Sequence, residues 1–373
     1  MAVGPSALEG LVMGPSPRFW RGKRVLLTGH TGFKGAWLAL WLNRLGAEVT
    51  GLALPPETDP SLFELVTLPA LVDSEFADIR RPAEVARVVR KARPDIVLHL
   101  AAQPLVRASY ADPVTTYETN VMGTVHLLEA LRGESGVRSV VVVTTDKVYR
   151  NPETGRPFAE DDPLGGHDPY SASKAACEIA VASYRDAFLR DRGAAVATAR
   201  AGNVIGGGDW AADRLIPDAM RAWGAGKAVV IRNPQAVRPW QHVLEPLAGY
   251  LALAETLWDA PERAGAYNFG PDAGDMATVA QVLEIAKRAY GFAEDETAYH
   301  VEPGGPHEAQ LLTLDNGRAR AVLGMAPLWR MEEAVSRTVR WYRGQARGLD
   351  ARGLCDGDFA HFTAGREAAC SAS

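Results

Sequence analysis

The chain has 373 residues, of which 47% are hydrophobic and 23% are charged, and these values are ordinary for a globular protein. At about 150 residues per domain, this length predicts two domains. Lys and Arg number 40 against 45 Asp and Glu, so a net charge of −5 provides none of the basic field that attracts nucleic acid or anionic membranes.

Cysteine content and apolar runs restrict the class of protein further. Cys177, Cys355 and Cys370 have no metal-ligand spacing and are too scattered for a disulfide framework, which favours a reducing compartment, the cytoplasm. Every apolar run is far shorter than the ~18 residues that span a bilayer. Residues 1–19 lack the features of a secretory signal, and we expect a flexible leader there.

The predicted elements begin with a strand at Arg24–Thr28, a glycine-rich turn at 29–35 and a helix at 36–45. Further strands are predicted at 48–54, 95–100, 139–145 and 195–201, and the helices between them at 81–91, 113–131 and 171–191. This alternation predicts an α/β fold, a Rossmann-type doubly wound parallel sheet covered by helices on both faces.

The regular alternation ends after Asn203. Helices are predicted at 216–223, 244–258, 279–290, 315–323 and 331–344, with a strand at 228–231. We interpret 20–203 and about 239–266 as a dinucleotide-binding domain, and about 204–238 with 267–345 as a smaller α/β substrate-binding domain. A substrate is expected between them. Residues 346–373, rich in Ala, Gly and Ser, are predicted to form a flexible tail.

Three glycines lie between the first strand and the first helix. Gly29, Gly32 and Gly35 let a backbone approach a pyrophosphate at the positive end of the helix, although such a triplet also serves as a plain turn. The second strand ends, at 51–56, without the acid that holds an adenine ribose or the Arg that holds a 2′-phosphate, so NAD is only weakly favoured over NADP. Asp78, Ile79 and Arg80 either contact adenine or form a loop in which Asp78 and Arg80 are a solvated pair.

Tyr170 and Lys174 are four residues apart at the start of a predicted helix and therefore share a face. A lysine beside a tyrosine favours the phenolate, whose ordinary pKa of ~10 is too high for a base at neutral pH. The alternative is an unremarkable turn of an amphipathic helix. Thr144 to Lys147 follow an apolar strand, where parallel sheets place catalytic residues, and this favours the catalytic interpretation.

Several motifs together resemble a known family. GHTGFKG, HLAAQ at 99–103, NVMGT at 120–124, TTDK at 144–147 and YSASK at 170–174 resemble the extended short-chain dehydrogenase/reductases from about residue 19 to 344. Within that family, AAQPLV, RAGNVIGGGDW, RPWQHVLEP and PHEA resemble the enzymes that dehydrate CDP-glucose at C4 and C6. The resemblance implies a nucleotide-sugar substrate, CDP-glucose, with NAD as cofactor.

The resemblance also implies residue roles. Tyr170 takes the C4 hydroxyl proton, Lys174 assists it, Thr145 binds the sugar, and Asp146 with Lys147 eliminates water across C5 and C6. The cofactor contacts it implies are Gly29, Thr31, Gly32, Phe33, Gly35, Asp78, Ile79, Leu100, Ala101, Ala102, Tyr170 and Lys174. The substrate contacts it implies are Gln103, Thr145, Asn203, Arg214, Arg232, Arg238 and His307.

Lys147 departs from the related dTDP-glucose dehydratases, which resemble this chain but have Glu after the Asp. A lysine with its ordinary pKa of ~10.4 is almost wholly charged at pH 7, so a role as C5 base needs a lowered pKa. Burial and the charge of Lys174 act in that direction. The alternative is that Lys147 is a structural or oxyanion-stabilising cation and that the base lies elsewhere.

Two rival functions and one assembly are also considered. A nucleotide-sugar 4-epimerase needs Tyr170 and Lys174 but no acid and base for loss of water, and a non-catalytic dinucleotide-binding protein needs none of them.

As the resemblance implies, helices 113–131 and 171–191 are expected to pair in a homodimer or homotetramer. Their surplus apolar residues include Val121, Leu127, Leu128, Ala176, Ile179, Ala180 and Tyr184.

Overall fold

Seven parallel strands form the central sheet of the computed structural model, which describes residues 14–302, 304 and 311–371. The strands in chain order are β1 Arg24–Thr28, β2 Glu48–Ala53, β3 Asp73–Phe76, β4 Ile96–His99, β5 Ser139–Val143, β6 Ala195–Ala201, β7 Val204–Ile205, β8 Val229–Ile231, β9 Val237–Arg238, β10 Gln241–His242, β11 Ala266–Phe269, β12 Ala277–Thr278 and β13 Tyr299–Val301. The sheet order is β3-β2-β1-β4-β5-β6-β11. This order confirms the predicted doubly wound fold.

Helices cover both faces of the sheet. They are α1 Pro17–Trp20, α2 Phe33–Arg44, α3 Leu62–Leu65, α4 Pro82–Ala92, α5 Val106–Ala111, α6 Pro113–Tyr117, α7 Gly123–Arg132, α8 Pro169–Tyr184, α9 Leu215–Gly224, α10 Leu244–Asp259, α11 Val279–Tyr290, α12 Gly317–Leu323, α13 Met331–Ala346 and α14 Ala351–Ser371. The apolar residues of α2 and α10 pack on one face, and those of α4, α7 and α8 pack on the other. Burial on both faces explains why β5 is a continuous run of apolar, β-branched residues after Ser139.

The chain beyond β6 builds short strand pairs beside the carboxyl edge of the sheet. β7 pairs with β10, β8 with β13 and β9 with β12, while α9, α11 and α13 pack against one another. β11 returns to the main sheet as its seventh strand, beside β6, and the sequence did not predict this strand. The two-domain division stays a prediction.

The C-terminal segment differs from its prediction. Residues 346–373 were expected to be a flexible tail, yet α14 is a helix that packs on α13. Cys355, Phe359 and Phe362 are at most 2% exposed, and they repeat at helical spacing along one face. The surrounding small and polar residues conceal this spacing in the sequence.

The last part of the predicted N-terminal leader is helical. Residues 1–13 of the predicted leader lie outside the described residues, but α1 follows at Pro17. The indole of Trp20 donates a hydrogen bond to the Glu255 carboxylate at 2.5 Å, and the backbone N–H of Ser16 donates to the same oxygen at 2.9 Å. These contacts attach residues 16–20 to α10. Among the described helices, none combines the length and the apolar character needed to cross a membrane.

Candidate active site

A cavity of about 1730 Å³ opens at the carboxyl edge of the sheet, between the strand ends and the elements that follow β6. Its walls include every predicted site residue that the structure describes: Gly29, Thr31, Gly32, Phe33, Gly35, Asp78, Ile79, Leu100, Ala101, Ala102, Gln103, Thr145, Asp146, Lys147, Tyr170, Lys174, Asn203, Arg214, Arg232 and Arg238. His307 lies outside the described residues. The fold therefore brings residues from distant parts of the chain to one cavity.

The glycine turn after β1 is shaped by close backbone packing. Gly29 has φ +77°, and a Cβ there would lie 2.8 Å from the backbone nitrogen of Ala101. A Cβ on Gly35 would lie 2.0 Å from the carbonyl oxygen of Gly29, so α2 approaches the turn closely. No side chain caps α2 at Gly32, which leaves the N-terminal N–H groups of that helix for an anionic ligand. These features fit the diphosphate of a dinucleotide.

The loop after β3 contains the Asp78–Arg80 pair, one of the two alternatives that the sequence predicts. The Asp78 carboxylate accepts three hydrogen bonds from the Arg80 guanidinium, at 2.6–3.0 Å, and this pairing lowers the pKa of Asp78. The carbonyl of Ile79 lies 3.1 Å from the ring Nδ1 of His126. Asp78 therefore holds Arg80 in place, and both residues form the wall of the cavity.

Helix α8 is fixed at its N-terminus and again near its middle. The Asp168 side chain caps its N-terminus by accepting from the N–H of Ser171 at 2.9 Å. Farther along, the buried Glu178 carboxylate pairs with Arg200 at 2.8 Å and accepts hydroxyl hydrogen bonds from Thr144 and Thr198. Because Glu178 is one turn after Lys174, this cluster fixes the register of α8 against β5 and β6.

Tyr170 and Lys174 face the cavity from the first turns of α8. Burial raises the pKa of Tyr170 to about 12, against a hydrogen bond with Thr145 that lowers it. The Lys174 ammonium donates to the carbonyl of Val143 at 3.1 Å, and burial lowers the pKa of Lys174. Thr145 and the Val143 carbonyl, both at the end of β5, therefore contact the two residues on which proton transfer at this position depends.

The residues after β5 form a tight turn that presents three polar side chains. Thr145 donates from its hydroxyl to Asp146 Oδ1 at 2.9 Å, and Lys147 Nζ lies 3.6 Å from the same oxygen. Asp146 is 1% exposed, and its Oδ2 has no hydrogen-bond partner among the described residues. The turn therefore holds one buried carboxyl oxygen beside the cavity and one cation next to it.

The cavity is also lined by amide and guanidinium groups. The Asn203 Oδ1 is buried and finds no hydrogen-bond partner in the described part of the chain. Arg214 donates to the carbonyl of Pro104 at 3.4 Å, and Arg238 and Arg232 contribute further positive charge. Guanidinium groups of this kind bind phosphate well.

Both polar ends of the Gln103 side chain make hydrogen bonds within the chain. Its amide nitrogen donates to Thr116 Oγ1 at 2.9 Å, and its amide oxygen accepts from the N–H of Leu105 at 2.6 Å. The Asn120 side chain binds the backbone of Gln103 and the hydroxyl of Ser173. Gln103 lines the cavity, but both ends of its side chain hold the loop after β4.

Two residues at or near the cavity, Lys34 and Tyr250, have no role predicted from the sequence. Lys34, within the GHTGFKG turn, lines the cavity, and its ammonium lies 6.0 Å from the centre of the Tyr250 ring. Tyr250 is fully buried on α10, and its hydroxyl has no partner among the described residues. The sequence could have indicated a role for Lys34, because this residue lies inside the glycine-rich turn GHTGFKG. No sequence pattern indicates a role for Tyr250, because it lies in an apolar helix far along the chain.

Comparison with known proteins identifies the family. The model of the NAD dependent epimerase/dehydratase family matches residues 25–270. The chain belongs to the NAD-dependent epimerase/dehydratase family. This membership confirms the resemblance seen in the motifs and the prediction of NAD as cofactor.

Relatives of the family include several nucleotide-sugar enzymes. The CDP-glucose 4,6-dehydratase of Salmonella typhimurium is 45% identical over 339 residues, which cover 89% of this chain and 94% of that protein. The dTDP-glucose 4,6-dehydratase of Streptomyces griseus is 32% identical, over 85% of this chain and 93% of that protein. A dTDP-glucose 4,6-dehydratase structure from Streptomyces venezuelae with NAD bound superposes with a TM-score of 0.75 at 26% identity, covering 87% of this chain and 98% of that one.

Proposed function

We propose that this protein is a CDP-glucose 4,6-dehydratase, which converts CDP-glucose to CDP-4-keto-6-deoxyglucose with loss of one water. The observation that carries the proposal is the Thr145–Asp146–Lys147 turn, which places an acid and an amine in the same cavity as Tyr170. The identity of 45% to the Salmonella CDP-glucose enzyme supports the choice of nucleotide. The proposal includes a cytoplasmic location.

Tyr170 and Lys174 serve the first half of the reaction, in which the C4 alcohol becomes a ketone. Tyr170 accepts the C4 hydroxyl proton, and Thr145, hydrogen-bonded to Tyr170, keeps the phenol oxygen oriented toward the sugar. Lys174, held by the Val143 carbonyl, supplies positive charge that stabilises the phenolate. Bound NAD supplies the oxidation at C4 and the later reduction at C6.

Asp146 and Lys147 serve the second half, in which water is lost. The 4-ketone acidifies the hydrogen at C5, so a base can remove it while an acid protonates the departing C6 hydroxyl. Asp146 is the acid, because its Oδ2 is buried at the cavity with no other partner among the described residues. Lys147 is the base next to it, 3.6 Å from Oδ1.

The diphosphate and the nucleotide are assigned to the arginines of the cavity. Arg238, Arg232 and Arg214 compensate the charge of the diphosphate, and the Asn203 amide contacts the sugar or its phosphate. His307 completes this contact set in the proposal. A second copy of the chain is the partner, paired through the helices 113–132 and 169–192.

The decisive experiment is mass spectrometry after incubation of the purified protein with CDP-, dTDP-, UDP- and GDP-glucose in separate reactions. We expect loss of one water from CDP-glucose alone, with no added reductant consumed. Conversion of another nucleotide at a higher kcat/KM replaces the nucleotide assignment. Formation of an isomeric CDP-sugar of unchanged mass identifies a 4-epimerase and overturns the dehydratase assignment.

A further inference from the structure

Lys34 is a third lysine at the reaction end of the cavity, and the roles above do not use it. It is the second residue of α2, is half-buried and lines the cavity. In the described part of the chain its ammonium makes neither a hydrogen bond nor an ion pair. The ammonium lies 6.0 Å from the centre of the Tyr250 ring, a distance at the outer limit of a cation–π interaction.

The charges around Lys34 are mostly positive. Arg214 precedes α9, Lys174 comes from α8 and Lys147 from the turn after β5, whereas Asp146 is the single negative group among these neighbours. Burial lowers the pKa of Lys34 to about 7, and the three cations act in the same direction against Asp146. Lys34 can therefore hold or release a proton near neutral pH.

The proposed reaction leaves a proton imbalance within the site. Tyr170 gains the proton of the C4 hydroxyl, and Asp146 loses a proton to the water that departs from C6. The proton removed from C5 returns to C5 when C6 is reduced, so it does not correct the difference. Every turnover thus ends with one proton too many on Tyr170 and one too few on Asp146.

The buried geometry makes this imbalance a practical problem. Asp146 is 1% exposed, so bulk water has little access to its carboxylate. Lys34 lines the same cavity as Tyr170 and Asp146, and it interacts electrostatically with Asp146. Tyr250, whose ring centre lies 6.0 Å from the Lys34 ammonium, interacts electrostatically with both Tyr170 and Asp146. The free Oδ2 of Asp146 is an acceptor without a partner, and the Lys34 ammonium is a donor without one.

We propose that Lys34 reprotonates Asp146 after water has left, an inference that rests on the proposed dehydratase function. The Lys34 ammonium transfers one proton to the Asp146 carboxylate and becomes a neutral amine. The amine then takes a proton from cavity water, to which Tyr170 releases the proton it gained. Tyr170 and Asp146 thereby return to their starting protonation states before the next sugar binds, and no external acid is consumed. Lys34 acts through Asp146 and is a positioning residue.

The kinetic test uses Lys34→Met, which removes the amine and keeps an unbranched side chain of similar length. At saturating NAD and CDP-glucose, we expect a first turnover close to wild type followed by steady-state turnover about 10²-fold slower, within the range of a lost proton-transfer group. Added imidazole should restore steady-state turnover. Lys227→Met, at an exposed lysine outside the cavity, is the matched control and should leave every phase unchanged.

A substrate-free test separates this inference from the proposed function. Competitive acetylation followed by peptide mass spectrometry reports the ionisation of individual lysines, and Lys34 should label with a midpoint near pH 7, well below the ~10.4 of an ordinary lysine. An acetylation midpoint near pH 10 for Lys34 overturns the proposed proton transfer. A Lys34→Met variant that is slower but keeps the wild-type pH profile and does not respond to imidazole also overturns it. Wild-type protein that dehydrates no nucleotide sugar overturns the proposed function instead, whatever Lys34 does on acetylation.

Discussion

Tyr170 is the residue on which the oxidation step depends. We expect Tyr170→Phe to lower the rate of C4 oxidation by ~10²–10⁴-fold, because the only change is loss of the hydroxyl that accepts the proton. Since burial raises the pKa of Tyr170 to about 12, the wild-type oxidation rate should rise with pH across the neutral range as the phenolate fraction grows. Stopped-flow absorbance of reduced cofactor after mixing with CDP-glucose measures both effects. Unchanged reduction in the Phe variant contradicts the assignment.

Asp146 and Lys147 should affect a later step than Tyr170. In Asp146→Asn and Lys147→Ala, oxidation at C4 remains possible while elimination slows, so reduced cofactor and a 4-keto sugar should accumulate. Exchange of the C5 hydrogen with deuterated solvent tests the base directly. C5 exchange at the wild-type rate in Lys147→Ala means that the base lies elsewhere. Formation of the dehydrated product at the wild-type rate by Asp146→Asn means that another group protonates the departing hydroxyl.

The relative positions of residues within one motif could be predicted from the sequence. Tyr170 and Lys174 share a face because they are four residues apart in one helix, and Asp146 reaches the cavity because it follows a buried parallel strand. Gln103 was different, since the hydrogen bonds that occupy its side chain depend on the loop conformation. The surroundings of Lys34 come from four separate segments, and no local pattern could have predicted them.

At the scale of elements, α14 was the largest omission. Its apolar face contacts the indoles of Trp37 and Trp41 on α2, with ring centroids of Phe359 and Phe362 at 5.2–5.9 Å. Composition alone indicated a tail because small residues dominate the segment. The decisive feature was the partner surface on α2, which only the folded chain supplies.

The buried pair between α14 and α10 provides a stability prediction. Glu245 accepts from the N–H groups of Leu328 and Trp329 at 3.0 and 2.7 Å, and Arg366 donates to its other oxygen at 3.2 Å. Arg366→Met leaves a buried carboxylate without its cation and should lower the free energy of unfolding by about 3–5 kcal/mol. Urea denaturation measures this change.

The control for this pair is the double variant Glu245→Gln with Arg366→Met. A neutral amide still accepts the two backbone hydrogen bonds and leaves no buried charge, so the double variant should be more stable than Arg366→Met alone. Equal loss in both variants means that the packing of Arg366 against Phe362, not its charge, is the stabilising contact.

At the scale of the whole molecule, the predicted dimer surface needs revision in detail. Leu127 and Leu128 are fully buried within the chain's own core and are not free to contact a second copy, because they pack beneath the sheet. Other apolar side chains on the same helices remain exposed. They are Val114 (66% exposed), Tyr117 (40%), Met122 (45%), Ile179 (62%) and Phe188 (39%). Such a cluster is typical of a surface covered by a partner.

The assembly prediction follows from this cluster. α6 and α8 pack against each other, so Val114 and Ile179 lie on neighbouring helices, and a second copy related by a two-fold axis can bury both at once. Ile179→Glu places a charge in that contact and should convert a dimer to a monomer in light scattering at micromolar concentration. Leu349→Glu, at an apolar residue 58% exposed between α13 and α14, is the matched control and should leave the mass unchanged. A wild-type protein that is a monomer overturns the dimer. An Ile179→Glu variant that keeps the mass of a dimer means that the interface lies elsewhere.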